Sequence, residues 1–128
     1  MDRLFISFET DPKPSDAALE DEQVAGQPVF EQIISHCVRQ PCDGISEWDA
    51  YGWAAEFAIG PAKLTCMLQR SEEWLVLVSA RRTFMDKMKG RNYETELQSL
   101  AHEVCGAIKS ALGIPLPKCQ TEGEFTRR

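Results

Sequence analysis

Five consecutive aliphatic or aromatic residues, Trp74 to Val78, restrict the chain to folds in which one strand is covered on both sides. Side chains alternate between the two faces of a β-strand. Trp74, Val76 and Val78 therefore share one face of such a strand, while Leu75 and Leu77 share the other. Each large side chain left in water forgoes about 1.5 to 3 kcal/mol, so an exposed cluster of two or three is typical of a docking surface.

This run is the last strand of a predicted three-stranded antiparallel meander over 53–80. Apolar and polar residues alternate over 53–59 and again over 62–69, which is the two-residue period of half-buried strands. Gly60-Pro61 and the polar stretch 70–73 are typical of the two reversals between the strands. A shorter alternation over 4–8 predicts a further strand near the N-terminus.

Two amphipathic helices are predicted to back this sheet. The first has Pro28 in its first turn and ends before Pro41, and the second follows the capping residue Asn92 and ends at Gly113 and Pro115. Their apolar stripes are Phe30, Ile33, Ile34, Cys37 and Val38 in the first helix, and Tyr93, Leu97, Leu100, Val104, Ala107, Ile108 and Ala111 in the second. The predicted fold is an α+β domain with a small antiparallel sheet, in the order β-α-β-β-β-α.

The length of 128 residues fits one domain. Residues 1–117 are predicted to form it, with an acidic loop over 10–27 that contains the run Glu20-Asp21-Glu22. Residues 118–128 offer few apolar anchors and are predicted to fray.

The charge balance argues against two classes of partner. A net charge of −6 disfavours nucleic acid and anionic membranes, because both require clustered Lys and Arg. The N-terminus shows no secretory signal, and the longest apolar run falls far short of the roughly 20 residues that cross a bilayer. Five cysteines, an odd number, then favour free thiols in the cytoplasm.

Two helices of this length most simply pack on one face of a small sheet, which leaves the opposite face open. That face carries either Trp74, Val76 and Val78 or the pair Leu75 and Leu77. Met67, on the neighbouring strand, lies near these side chains. We expect Trp74, Val76 and Met67 to make apolar contacts with another protein or with a second copy of the chain. Two alternatives remain open: the loop or the tail covers this face, or the N-terminal strand pairs beside the meander.

A second candidate binding element spans 47–53 and places three aromatic residues and two carboxylates within seven positions. Rigid aromatic rings supply contact area in recognition loops, so Trp48 and Tyr51 are predicted anchors. The carboxylates of Glu47 and Asp49 are predicted to steer a basic partner. The alternative is a solvated loop whose Trp53 enters the core.

One basic cluster over 81–91 lies between the meander and the last helix, and the presence of Phe84, Met85 and Met88 within it predicts that part of this stretch packs down as a helical turn. The cluster indicates a solvated connector or a contact for an acidic partner. His36 and Cys37 point about 100° apart on a helix, so they do not share a metal ion. We expect no catalytic residue, no metal and no cofactor.

These patterns together predict a non-enzymatic protein-binding module, such as a small acidic adaptor, a chaperone-like escort or a toxin-neutralising inhibitor. The partner is a protein of basic character or a second copy of the chain, and neither a nucleic acid nor a membrane. The alternative is a small-molecule-binding domain or an enzyme with a pocket between the sheet and the 48–53 loop.

Overall fold

The structure is a computed structural model that describes residues 3–9, 22–48, 52–70, 74–81, 84–90, 92–121 and 123–124. Within these ranges the chain forms six strands and three helices. In chain order they are β1 (Arg3–Phe8), α1 (Glu22–Ser35), β2 (Ile45–Trp48), β3 (Gly52–Ile59), β4 (Ala62–Arg70), β5 (Trp74–Arg81), α2 (Phe84–Met88), α3 (Glu94–Leu112) and β6 (Lys118–Thr121). The predicted α+β class is confirmed, but the sheet is larger than predicted.

All strand pairs are antiparallel, and the sheet has the order β2-β3-β4-β5-β1-β6. The predicted meander is present as β3, β4 and β5. The predicted N-terminal strand is β1, which pairs beside β5 with Ile6 opposite Val76. β5 is therefore an internal strand, hydrogen-bonded along both of its edges.

Two short edge strands enlarge the sheet beyond the prediction. β2 pairs with β3, and β6 pairs with β1 through registers such as Ile6 opposite Cys119. Lys118–Thr121 thus forms a strand where the sequence predicted the start of a frayed tail. Four residues are too few to show a two-residue period, and their strand structure depends on the unpaired backbone groups of the neighbouring strand.

α1 begins at Glu22, inside the predicted acidic loop, so Pro28 lies in the helix interior and not in its first turn. A proline there lacks the N–H that would bond to the carbonyl four residues earlier. The helix ends at Ser35, and Val38 is therefore exposed instead of completing the apolar stripe. The backbone N–H of Cys37 donates to the Ile34 carbonyl at 3.1 Å, which keeps the buried Cys37 against the core after the helix ends.

α3 matches its predicted span closely. The Asn92 side-chain oxygen accepts a hydrogen bond from the Glu94 N–H at 3.3 Å, at the start of the helix. Gly113 ends the helix in the left-handed region at φ 63°, and its N–H donates to the Lys109 carbonyl at 3.0 Å. A residue with a Cβ is strained in this backbone conformation, which explains the stop at glycine.

The main core lies between the two long helices and one face of the sheet. α1 and α3 pack against each other, α1 also contacts β3 and β4, and α3 contacts β1 and β5. The largest fully buried side chains include Trp74, Phe57 and Ile6 on the sheet and Phe30 and Leu97 on the helices. This layer is the predicted two-layer arrangement.

One ion pair connects the segment after α1 to α3. Glu103 accepts a hydrogen bond from the backbone N–H of Arg39 at 2.6 Å and pairs with the Arg39 guanidinium through its other oxygen. Among the helices in the described part of the chain, none is long and apolar enough to cross a bilayer.

Candidate functional site

The structure places two of the predicted contact residues in the main core. Trp74 and Val76 lie on the face that α1 and α3 cover, and neither has exposed surface. The two helices pack against this face, and Trp74, Phe57 and Ile6 on it are fully buried. Trp74 and Val76 are core residues in this structure and are out of reach of a partner.

Met67 lies on the opposite face, in an apolar row that crosses four strands. Ala54, Met67, Leu77 and Phe5 stand directly opposite one another on β3, β4, β5 and β1. The first three are only 5, 7 and 8% exposed, and Phe5 is partly buried against them. We name these four residues the second-face row. The row is already buried within the chain, so the expectation of an open apolar face on the sheet is wrong.

Polar residues end the second-face row on both sides. Ser46 of β2 stands opposite Ala54, and Gln120 of β6 stands opposite Phe5. Gln120 is buried, and its side-chain oxygen has no hydrogen-bond partner among the described residues. The apolar cluster on this face is therefore limited to the middle strands, unlike the core on the other face.

The predicted 47–53 loop is partly strand. Glu47 and Trp48 belong to β2, where they pair with Trp53 and Gly52. Asp49 and Tyr51 lie outside the described residues, so the proposed steering and anchoring roles of this element stay predictions. Trp53 is buried in the main core, as the alternative interpretation of this segment expected.

A cavity of about 400 Å³ lies on the second face beside the second-face row. Met67 and Ala54 contribute its apolar surface, and its polar surface comes from charged groups and hydroxyls. The polar side chains that line it are Asp43, Ser46, Glu56, Thr65, Ser79 and Arg81. Carboxylates and a guanidinium in one cavity can bind a small molecule that carries charges of both signs.

The most exposed cluster of large apolar side chains in the described chain is on α2. Phe84, Met85 and Met88 are 75, 56 and 68% exposed, whereas Asp86 is the buried residue of this helix. The sequence predicted that part of this stretch packs down as a helical turn. The turn is present, but the side chain that it buries is Asp86, and the three apolar side chains face solvent. In a helix of only five residues, burial of the Asp86 side chain turns the other four side chains toward solvent.

Basic residues accompany this apolar cluster. Lys87 and Lys89 are exposed, and the only carboxylate in the described stretch 84–90 is the buried Asp86. We name Phe84, Met85 and Met88 together with Lys87 and Lys89 the α2 surface. The sequence signal was present as three large apolar residues inside the basic cluster, but the pattern alone did not show which side of the turn faces solvent.

Two buried thiols lie in the main core and are unreactive in character. Burial, and after it the Glu103 carboxylate, raises the pKa of Cys37 from 9.0 to about 11. Burial, and after it Cys37, raises the pKa of Cys66 even further. Within the described ranges, no three His, Cys, Asp or Glu side chains come together in a way that would hold a metal ion.

Comparison of the chain with protein-family models, with curated proteins and with solved structures gave no match. A functional interpretation therefore depends on the surfaces described above.

Proposed function

We propose that this protein is a non-enzymatic protein-binding module that docks an acidic, partly apolar segment of another protein on the α2 surface. The observation that carries the proposal is the exposure of Phe84, Met85 and Met88 beside two exposed lysines. Exposed apolar groups with a charged rim are typical of protein interaction sites. Lysines in the rim select a partner of opposite charge.

The expected affinity follows from the size of the surface. Full burial of a Phe or Met side chain stabilises by about 1.5 to 3 kcal/mol, so covering the exposed two-thirds of three such side chains contributes about 3 to 6 kcal/mol. Association costs about 4 to 15 kcal/mol in lost motion. Apolar contact offsets only the lower end of this cost, so the lysines are needed for a stable complex. We therefore expect weak binding that decreases as salt is added.

The test uses a labelled acidic amphipathic peptide, with Leu and Phe at helical spacing among Asp and Glu, titrated by fluorescence anisotropy. A second peptide with Lys and Arg in place of the acids is the charge control. We expect the acidic peptide to bind more tightly, and the double variant F84S/M88S to weaken its binding about 10- to 100-fold, since each factor of ten corresponds to about 1.4 kcal/mol.

Val38 offers a matched control, because it is 89% exposed and lies outside α2. The variant V38S is expected to bind the acidic peptide as the natural chain does. Equal loss of binding in V38S and in F84S/M88S, or preference for the basic peptide, would contradict the proposal. Preference for the basic peptide would instead favour the roles predicted for Glu47 and Asp49.

The cavity supports a second candidate function, binding of a small molecule. Its volume of about 400 Å³ lies in the range of ligand sites, about 300 to 1,000 Å³. Free amino acids are suitable probes, because they carry one charge for Arg81 and one for Asp43 or Glu56. A bound probe raises the melting temperature, and E56Q is expected to reduce that shift. Equal shifts in both proteins would place the binding elsewhere.

A further inference from the structure

The second face of the sheet brings three cations together around two hydroxyls, beside the second-face row. Ser79 of β5 stands opposite Thr65 of β4 on one side and opposite Arg3 of β1 on the other. Two residues further along β5, Arg81 stands opposite Lys63 of β4. Directly opposite residues of an antiparallel pair point to the same face, and their Cα atoms lie about 4.5 to 5.5 Å apart. The three cationic side chains therefore stand around Ser79, next to the cavity that Ser79 and Arg81 line.

The carboxylates of the cavity lie on its other side. Glu56 of β3 stands opposite Thr65, away from Ser79. Asp43 precedes β2, which is the next strand beyond β3. The backbone N–H of Cys42 donates to the Glu56 carbonyl at 2.8 Å, and this bond holds the segment that contains Asp43 against β3. The cavity thus has a cationic side over β4, β5 and β1 and an anionic side over β3 and the segment before β2.

These charged groups do not neutralise one another. Within the described residues the three cations form no ion pair, and the two carboxylates form none either. All five charged side chains are exposed, whereas Thr65 and Ser79 between them are half-buried, and neither hydroxyl has a hydrogen-bond partner in the described part of the chain. Three cations against two carboxylates leave a local charge of +1 on a chain whose net charge is −6. The cationic side therefore selects an anionic group.

We propose that this cavity binds an aminoalkyl phosphate, which is a small phosphate monoester that also carries an ammonium group. The inference rests on the second candidate function, binding of a small molecule in this cavity, and names the class of ligand. The phosphate binds on the cationic side, where the Arg81 guanidinium donates two parallel hydrogen bonds and the hydroxyls of Thr65 and Ser79 donate to the remaining oxygens. The ammonium group binds on the anionic side, against the Glu56 carboxylate.

The number of cations favours a phosphate monoester over other anionic groups. A carboxylate has one negative charge and two oxygens, which a single guanidinium satisfies. A phosphate monoester carries about 1.5 to 2 negative charges near neutral pH and has three terminal oxygens, so it accepts from Arg81, from the two hydroxyls and from a further cation at once. A phosphate diester, as in a lipid headgroup, carries a single charge and leaves part of the cationic side unpaired.

Isothermal titration calorimetry of the full chain with O-phosphoethanolamine tests the assignment. Three matched probes each change one feature: ethyl phosphate lacks the ammonium group, ethanolamine lacks the phosphate, and 2-aminoethyl sulfate carries one negative charge in place of two. We expect O-phosphoethanolamine to bind most tightly, ethyl phosphate and 2-aminoethyl sulfate to bind about 2- to 5-fold more weakly, and ethanolamine to give no binding heat. Added salt should weaken binding of the phosphates.

Four variants at exposed positions, which should keep the fold, assign the two sides of the cavity. R81Q is expected to weaken binding of O-phosphoethanolamine about 10-fold, because it removes a bidentate pair, and K63Q about 2- to 5-fold. K109Q is the matched control, since it removes an exposed lysine of α3 outside the cavity and should bind as the natural chain does. E56Q should weaken binding of O-phosphoethanolamine and not that of ethyl phosphate, because only the first presents an ammonium group.

Equal affinity for O-phosphoethanolamine and 2-aminoethyl sulfate, or equal loss of binding in K63Q and K109Q, would overturn the proposal. Free amino acids that bind as tightly as O-phosphoethanolamine would keep the cavity as a ligand site and overturn only the phosphate assignment, whereas no binding by either would overturn both. Binding to phosphatidylethanolamine vesicles without binding to soluble O-phosphoethanolamine would overturn the proposal in favour of a lipid headgroup. The α2 surface is tested independently, because F84S/M88S should bind O-phosphoethanolamine as the natural chain does.

Discussion

The two faces of the sheet are both buried at their centres, but the main core between the sheet and the helices α1 and α3 includes only one of them. On the helix-covered face, the row Trp53, Leu68, Val76 and Ile6 crosses the same four strands as the second-face row, one residue along. It belongs to the main core and packs beneath α1 and α3. The second-face row forms a separate small cluster with polar residues at both ends.

One face of the sheet thus contributes to the main core, and the other face carries the polar side chains that line the cavity. The covered face gains apolar neighbours from two helices, so each side chain contacts others on all sides. On the other face, the next row beside Met67 is Glu56, Thr65 and Ser79, and the cavity lies there. Substitutions on the two faces should therefore differ in cost even when the chemical change is the same.

The largest effect is expected from L68A on the covered face. Leu68 is 1% exposed and belongs to the main core. Removal of its side chain leaves a cavity that the packed helices cannot fill, and we expect a loss of about 3 to 5 kcal/mol in the free energy of unfolding. Urea denaturation followed by circular dichroism measures it.

The matched change on the other face, L77A, should cost about 2 kcal/mol, because Leu77 belongs to a cluster of only four apolar residues. The same urea titration measures this loss. Equal losses for L68A and L77A would show that the two faces are equally well packed, and the comparison between them would fail.

A smaller effect is expected from alkaline pH, through Cys66 on the covered face. Its pKa in the folded state is raised above 9.0, so the thiol ionises first in the unfolded state. The contribution is fully present below about pH 9 and is lost as pH rises toward the folded-state pKa. At about pH 10 the expected loss is about 1 kcal/mol.

The control for this pH effect is C66A, which lacks the thiol. Between neutral pH and about pH 10, its free energy of unfolding should decrease by about 1 kcal/mol less than that of the natural chain. An identical decrease in both proteins would mean that water reaches this part of the covered face.

The elements that sequence reasoning predicted well are those with long periodic patterns. β3, β4, β5 and α3 each run for eight or more residues, long enough for the two-residue or helical period to appear. β2 and β6 have four residues each, so pairing partners decide them. The start of α1 was missed because Pro28 is typical of a first turn, and six residues of helix precede it.

The candidate surfaces were less predictable. The sequence analysis grouped Met67 with Trp74 and Val76 on one open face, whereas the structure places Met67 on the opposite face from these two residues and buries it there. Phe84, Met85 and Met88 were recognised as a helical turn, and their exposure follows from the burial of Asp86, which no periodicity indicated.

The sequence by itself determined which residues share a face of each strand, because alternation is a local property of extended backbone. It also determined that 74–78 must be covered on both sides, and all five of these residues are buried. Only the tertiary structure decided that the helices lie over Trp74 and Val76 and not over Leu75 and Leu77. That choice depends on contacts between residues distant in the chain, whose free energies no local pattern records.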